Sequence, residues 1–145
     1  MAAEGKPFGD RLVDLLNAQA IATTLGVASR VGLLAALSDA PATARELAAR
    51  ADMSARYVEE ILAVLVTGDV VSLEEAALSP GDDLRYSLST ERKAALGGMS
   101  LYFEELPLLS QCAFGEVCEA ARSGDGVAGV HYAAFGKWMG KLADE

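Results

Sequence analysis

A single histidine, His131, and two cysteines, Cys112 and Cys118, are all that the 145 residues offer of the side chains best suited to zinc. The cysteines are six residues apart, on nearly opposite sides of a helix, so no Cys/His set for a tetrahedral site can be assembled and no metal is expected. They read as reduced thiols of a cytoplasmic protein. Cations are scarce as well. Lys and Arg number 12 against 21 Asp and Glu, a net charge of -9, which repels phosphate backbones unless the few cations gather on one face. The basic start of a secretory signal is missing, since Glu4, Asp10 and Asp14 surround the first apolar residues. So is an uninterrupted apolar span. The most apolar stretch, Ala18 to Leu37, carries Gln19, Thr23, Thr24, Ser29 and Arg30, and reads as a buried helix pair rather than a membrane crossing.

What is present suffices for a packed Ala- and Leu-rich domain: 52% hydrophobic and 23% charged residues in a length that suits one domain. Phe8, Leu12, Leu15 and Leu16 fall on one helical face. From about Ile21 to Leu37 the apolar residues nearly encircle the axis, so a second helix there needs cover on most sides. The surplus points to a homodimer, with Leu12, Leu15, Leu16, Ile21 and Leu25 as candidate interface residues and several hundred square ångströms buried per partner.

Thr43 and Glu46 form a capping box that starts a short helix, with Leu47 and Ala48 facing inward. Ser54 opens the next, whose inner face would be Tyr57, Val58, Ile61, Leu62 and Leu65 and whose end would be a left-handed Gly68. "DVVSLEE" and "DLRYSLS" alternate around the turn "AALSPGDD" and read as a two-stranded β-hairpin. Helix, turn, capped helix and hairpin make a winged helix-turn-helix in a mainly α chain. Thr90 opens a helical turn closed by Gly97 and Gly98. A long segment from Ser100 to about Arg122 follows, kinked or divided at Pro107, and then a last amphipathic segment from Val130 with Tyr132, Phe135, Trp138 and Met139.

Three features invite a chemical reading. "GDGVAG", Gly124 to Gly129, spells G-x-G-x-x-G, but it follows the helical "CEAARS" rather than a strand and places Asp125 where phosphate would be repelled. It reads as a connector. The Ser54 to Thr67 helix is the element that would read DNA, yet between Ser38 and Thr90 four arginines oppose ten acids, the wrong sign for that task. His131 has no polar partner that the sequence places beside it, so it reads as a loop or pocket histidine and not as a general base. No catalytic, cofactor-binding or metal-ligating residue is assigned.

The leading "LLNAQAIATTLGVASRVGLLAAL", the unit "TARELAARADMSARYVEEILAVLVTGDVV", the strand "YSLS" and the late "GDGVAGVHYAAFGKWM" together resemble the N-terminal winged-helix region of S-adenosylmethionine-dependent methyltransferases. The resemblance runs from about Phe8 to Met139. In that family a Rossmann-like catalytic domain follows, with an acidic-x-Gly-x-Gly loop for the cofactor, and no segment here matches that loop. The resemblance implies residues 1–7 as a flexible N-terminus, 8–95 as a winged-helix domain with leading dimerisation helices, and 96–145 as a helical connector or lid. It further implies that S-adenosylmethionine is bound only in a full-length relative, that the chain alone is inactive, and that a small-molecule methyl acceptor would lie under lid residues Tyr102, Phe103, His131, Tyr132 and Trp138. A winged-helix transcription regulator is the alternative. A complete small enzyme or ligand-binding domain, using a pocket between the late helices and His131, is the third.

Overall fold

The computed structural model describes residues 5–38, 40–74 and 83–144. Its longest element is α1, Phe8–Arg30, one continuous helix of 23 residues where the apolar pattern predicts two. Nothing between Leu16 and Ile21 breaks a helix, as "NAQA" contains neither Gly nor Pro. The break comes at Gly32, whose φ of 78° lets the chain turn before the four-residue α2, Leu33–Ala36. Asp10 in the first turn and Arg30 in the last complement the helix dipole.

β1, Ala42–Thr43, leads into α3, Ala44–Ala51, and then α4, Ala55–Thr67. The capping box is present as the spacing predicts: the Thr43 N–H donates to Glu46 Oε2 at 2.8 Å and the Glu46 N–H to Thr43 Oγ1 at 3.2 Å. Ser54 does occupy the N-cap of α4, but its side chain makes no capping bond. β2, Ser72–Leu73, and β3, Arg85–Ser87, form the wing; residues 75–82, which hold most of its turn, lie outside the described part. The sheet has a third member. β1 pairs antiparallel with β3, giving the order β1-β3-β2. The sequence hides β1 because two residues carry no alternation, and only their pairing with Arg85 and Tyr86 makes them a strand.

The core sits where α2, α3, α4 and the sheet meet. Leu33, Leu37, Leu47, Val58, Leu62, Leu65, Val71 and Leu88 are fully buried. Each contributes about 1.5–3 kcal/mol through the apolar surface it removes from water. In α4 the buried set is Val58, Leu62 and Leu65, spaced i, i+4, i+7; Tyr57, one position off that line, is exposed rather than inward. Gly68 is not the left-handed residue the pattern predicts. Its φ is -83°, and Asp69 takes the left-handed turn at 54°. Asp tolerates that region through its short polar side chain. What Gly68 supplies instead is room, since a Cβ there would lie 2.9 Å from Cδ1 of Ile21 in α1.

α5, Thr90–Gly97, is capped by Ser89 Oγ, which accepts from the Arg92 N–H. Its Lys93 reaches back to α2, donating to the carbonyls of Ala35 at 2.9 Å and Leu37 at 2.6 Å. α6, Ser100–Cys112, runs through Pro107 without ending there. The division falls at Ala113, before α7, Phe114–Ser123. Cys112 and Cys118 are therefore on different helices, both as thiols. A 3-10 turn, Gly129–Tyr132, and α8, Ala133–Asp144, complete the chain and pack on α6.

α1 and α6 cross in close backbone contact. Pro107 has no N–H for the carbonyl of Phe103, the acceptor four residues back. That carbonyl lies against Gly26 of α1, where a Cβ would come within 2.0 Å of its oxygen. Two sequence oddities, a glycine in one helix and a proline in another, thus meet at one contact, of the Cα–H···O type that recurs at close helix crossings. Beside it Ser29 Oγ donates to Glu104 Oε1 at 2.7 Å, half-buried.

Candidate functional surfaces

The N-terminal half of α1 stands clear of the rest of the chain. Phe8, Leu12, Val13, Leu15 and Leu16 are all exposed, Leu15 and Leu16 at 67%. Lys6 pairs with Asp14 at 2.6 Å across the first turns, so the N-terminal segment is fastened at that point. Of the five candidate interface residues, Leu12, Leu15 and Leu16 are therefore available to a partner. Ile21 is half-buried against Gly68, and Leu25, at 5% exposure, is turned into the core of its own protomer. The helical period explains the division: α6 and α4 cover α1 only over its C-terminal half, where Gly26 permits close approach. α1 is also long and apolar enough to cross a membrane by length and composition alone, with a mean hydropathy of 1.2 over its best window. Asp10, Arg11 and Asp14 lie in its exposed half.

The exposed side of α4 is acidic. Glu59 and Glu60 face solvent, and Arg56 is held by Glu60 at 3.2 Å. Arg85 on the wing lies 3.6 Å from Glu46, and Arg92 on α5 lies 3.2 Å from Asp69. These arginines are engaged by acids where a phosphate backbone would need them presented. The capping box has an electrostatic mark. The Thr43 N–H, the largest influence, holds the Glu46 carboxyl below the ordinary glutamate range, aided by Arg85 and the Thr43 hydroxyl and opposed by its desolvation.

The candidate lid residues whose side chains are described do not line one common cavity. Tyr102 and Phe103 line a cleft of about 270 Å³ between α1 and α6, together with Gln19, Thr23, Pro107 and Gln111. Phe103 also packs against the core. His131 lines a different cavity, about 550 Å³, with Glu116, Glu119, Asp125 and Gly126. Tyr132 is half-buried on the same 3-10 turn, and the side chain of Trp138 lies outside the described residues. His131 does have a partner that the sequence conceals: its Nδ1 is 3.3 Å from Glu116 Oε1. Fifteen residues separate them, and only the reversal of the chain after α7 brings them together. "GDGVAG" makes that reversal, beginning at Gly124 with φ 81°, whose N–H donates to Ala120 at the end of α7. Its flanks are a helix and a 3-10 turn, not the strand and helix of a dinucleotide loop. Among the described residues no group of three or more His, Cys, Asp or Glu is arranged to hold a metal ion.

Comparison with known proteins agrees with this architecture. The crystal structure of human N-acetylserotonin methyltransferase in complex with S-adenosylmethionine is similar in fold, with a TM-score of 0.64 and 20% sequence identity. The similarity covers 87% of this chain but 37% of that one, so the chain spans little more than a third of the enzyme. No curated protein matches the sequence. The Rv2258c-like winged helix-turn-helix domain matches residues 11–97, a range that begins inside α1 and closes with α5. The three-stranded wing sheet, the α3–α4 pair and that match over more than half of the sequence lead to one conclusion: the chain belongs to the family of Rv2258c-like winged helix-turn-helix domains.

Proposed function

We propose that this chain is the dimerisation and substrate-lid domain of an S-adenosylmethionine-dependent methyltransferase, with the cofactor bound by a catalytic domain that these residues do not include. The observation that carries the reading is the exposed apolar half of α1, with Phe8, Leu12, Leu15 and Leu16 presented by a domain whose own core is complete without them. Such a face is used when it meets a second apolar face, and a copy of the same helix supplies one by two-fold symmetry. Likeness of fold to part of a methyltransferase supports the enzyme class. The methyl acceptor would be a small molecule reached by the α1–α6 cleft residues Tyr102 and Phe103 or by His131 and Tyr132, which lie on separate surfaces of the domain.

Two titrations on the purified chain test this. S-adenosylmethionine added in a calorimeter should release no heat of binding, and duplex DNA at low salt should give no salt-sensitive complex. Saturable, one-to-one binding of the cofactor would overturn the accessory role. Salt-sensitive DNA binding would replace it with a transcription regulator.

A further inference from the structure

Between the helix-turn-helix and the wing lies a second feature that the proposed role does not use. A cavity of about 360 Å³ is bounded by α3, α4 and β3 and lined by Arg45, Glu59, Asp83, Leu84 and Tyr86. Its volume is at the small end of the range of about 300–1,000 Å³ typical of ligand pockets. Tyr86 is 7% exposed and has no hydrogen-bond partner among the described residues. Buried phenol groups are ordinarily bonded, so this one is an unmet polar group on the cavity wall. Glu59 and Asp83 are in no ion pair with a described residue either.

We infer that this cavity binds a small monoamine, its ammonium group placed between Glu59, Asp83 and the Tyr86 hydroxyl and its apolar body against Leu84 and Ala44. An ammonium has three donors and no acceptor, which matches two carboxylates and a phenol oxygen. The charge balance sets the class further. Two acids against Arg45 leave one net negative charge, so a single positive charge is favoured and a polyamine's second charge would meet the guanidinium. Burial and the nearby Glu59 charge push the Tyr86 hydroxyl up from its ordinary range, keeping it in the neutral form that can accept from the ligand and donate to Glu59.

The test is an amide-resolved NMR titration of the intact chain with 2-phenylethylamine, using 2-phenylethanol as the uncharged control. The amine should cause saturable shifts at Ala44, Leu84 and Tyr86, and the alcohol should not. Glu59→Gln should weaken binding about tenfold, the weight of one charge-assisted hydrogen bond, and Asp83→Asn similarly. Absence of saturable shifts in the millimolar range, equal response to the alcohol, or an unchanged affinity in both variants would each overturn the inference. The outcome is independent of whether the domain serves a methyltransferase.

Discussion

At the scale of single residues, the two glycines that matter most are positioned by partners far away in sequence. Gly26 faces the backbone carbonyl of Phe103, and Gly68 faces the side chain of Ile21. Gly26→Ala forces backbone apart from backbone and should lower the stability measured by urea unfolding by about 1–3 kcal/mol. Gly68→Ala meets side-chain carbons of one isoleucine, Cδ1, Cγ1 and Cγ2 of Ile21, rather than backbone, and should cost less. Equal losses would show that the α1–α6 contact is not the tighter one. The capping box, by contrast, was legible, because its two partners are three residues apart and their chemistry is local. Glu46 carries a pH signature. Its carboxyl is held below the ordinary range in the folded chain, so its stabilisation is present above the unfolded value and is lost as pH falls through the lower folded one. Glu46→Gln should therefore destabilise the chain at neutral pH, with the difference from wild type closing in acid. A difference independent of pH, followed by thermal unfolding, would contradict that account.

At the scale of elements, periodicity located α3, α4, α5 and the wing strands, since each has a cap or an alternation of its own. It failed where tertiary contact decides. The first two predicted helices are one, because an Ala-rich junction propagates helix and only Gly32 interrupts it. β1 exists through its pairing with β3, and α6 outlasts Pro107 because the carbonyl left without its donor is accommodated at Gly26. The tie between α5 and α2 was equally hidden. Lys93 satisfies the carbonyls of Ala35 and Leu37 just where α2 ends, so the helix too short to hold itself is closed by another element. Lys93→Met keeps the length of the side chain and removes the donor. Hydrogen bonds from charged groups are each worth about 1.5–3 kcal/mol, and a loss of that order in denaturant unfolding is expected. Faster amide exchange at Leu33 to Leu37 should accompany it. A variant as stable and as protected as wild type would mean that the two contacts contribute nothing.

At the scale of the whole molecule, the winged-helix architecture was readable and the candidate sites were readable only in part. Leu12, Leu15 and Leu16 emerge on an exposed face, whereas Leu25 is turned into the protomer's core, and of the lid candidates Tyr102 and Phe103 line one cleft and His131 another. The sequence shows that α1 is apolar; the fold decides which half of it remains uncovered. The proposed dimer requires that uncovered half to meet a second copy. Its most direct test is the mass of the chain in solution by light scattering at micromolar concentration, for wild type and for Leu12→Asp/Leu16→Asp. The prediction is twice the 15.1 kDa chain mass for wild type and a folded monomer for the double variant, whose helical circular dichroism is retained. A wild-type monomer, or a dimer that the two charges leave intact, would contradict the assignment of α1 as the dimerisation helix.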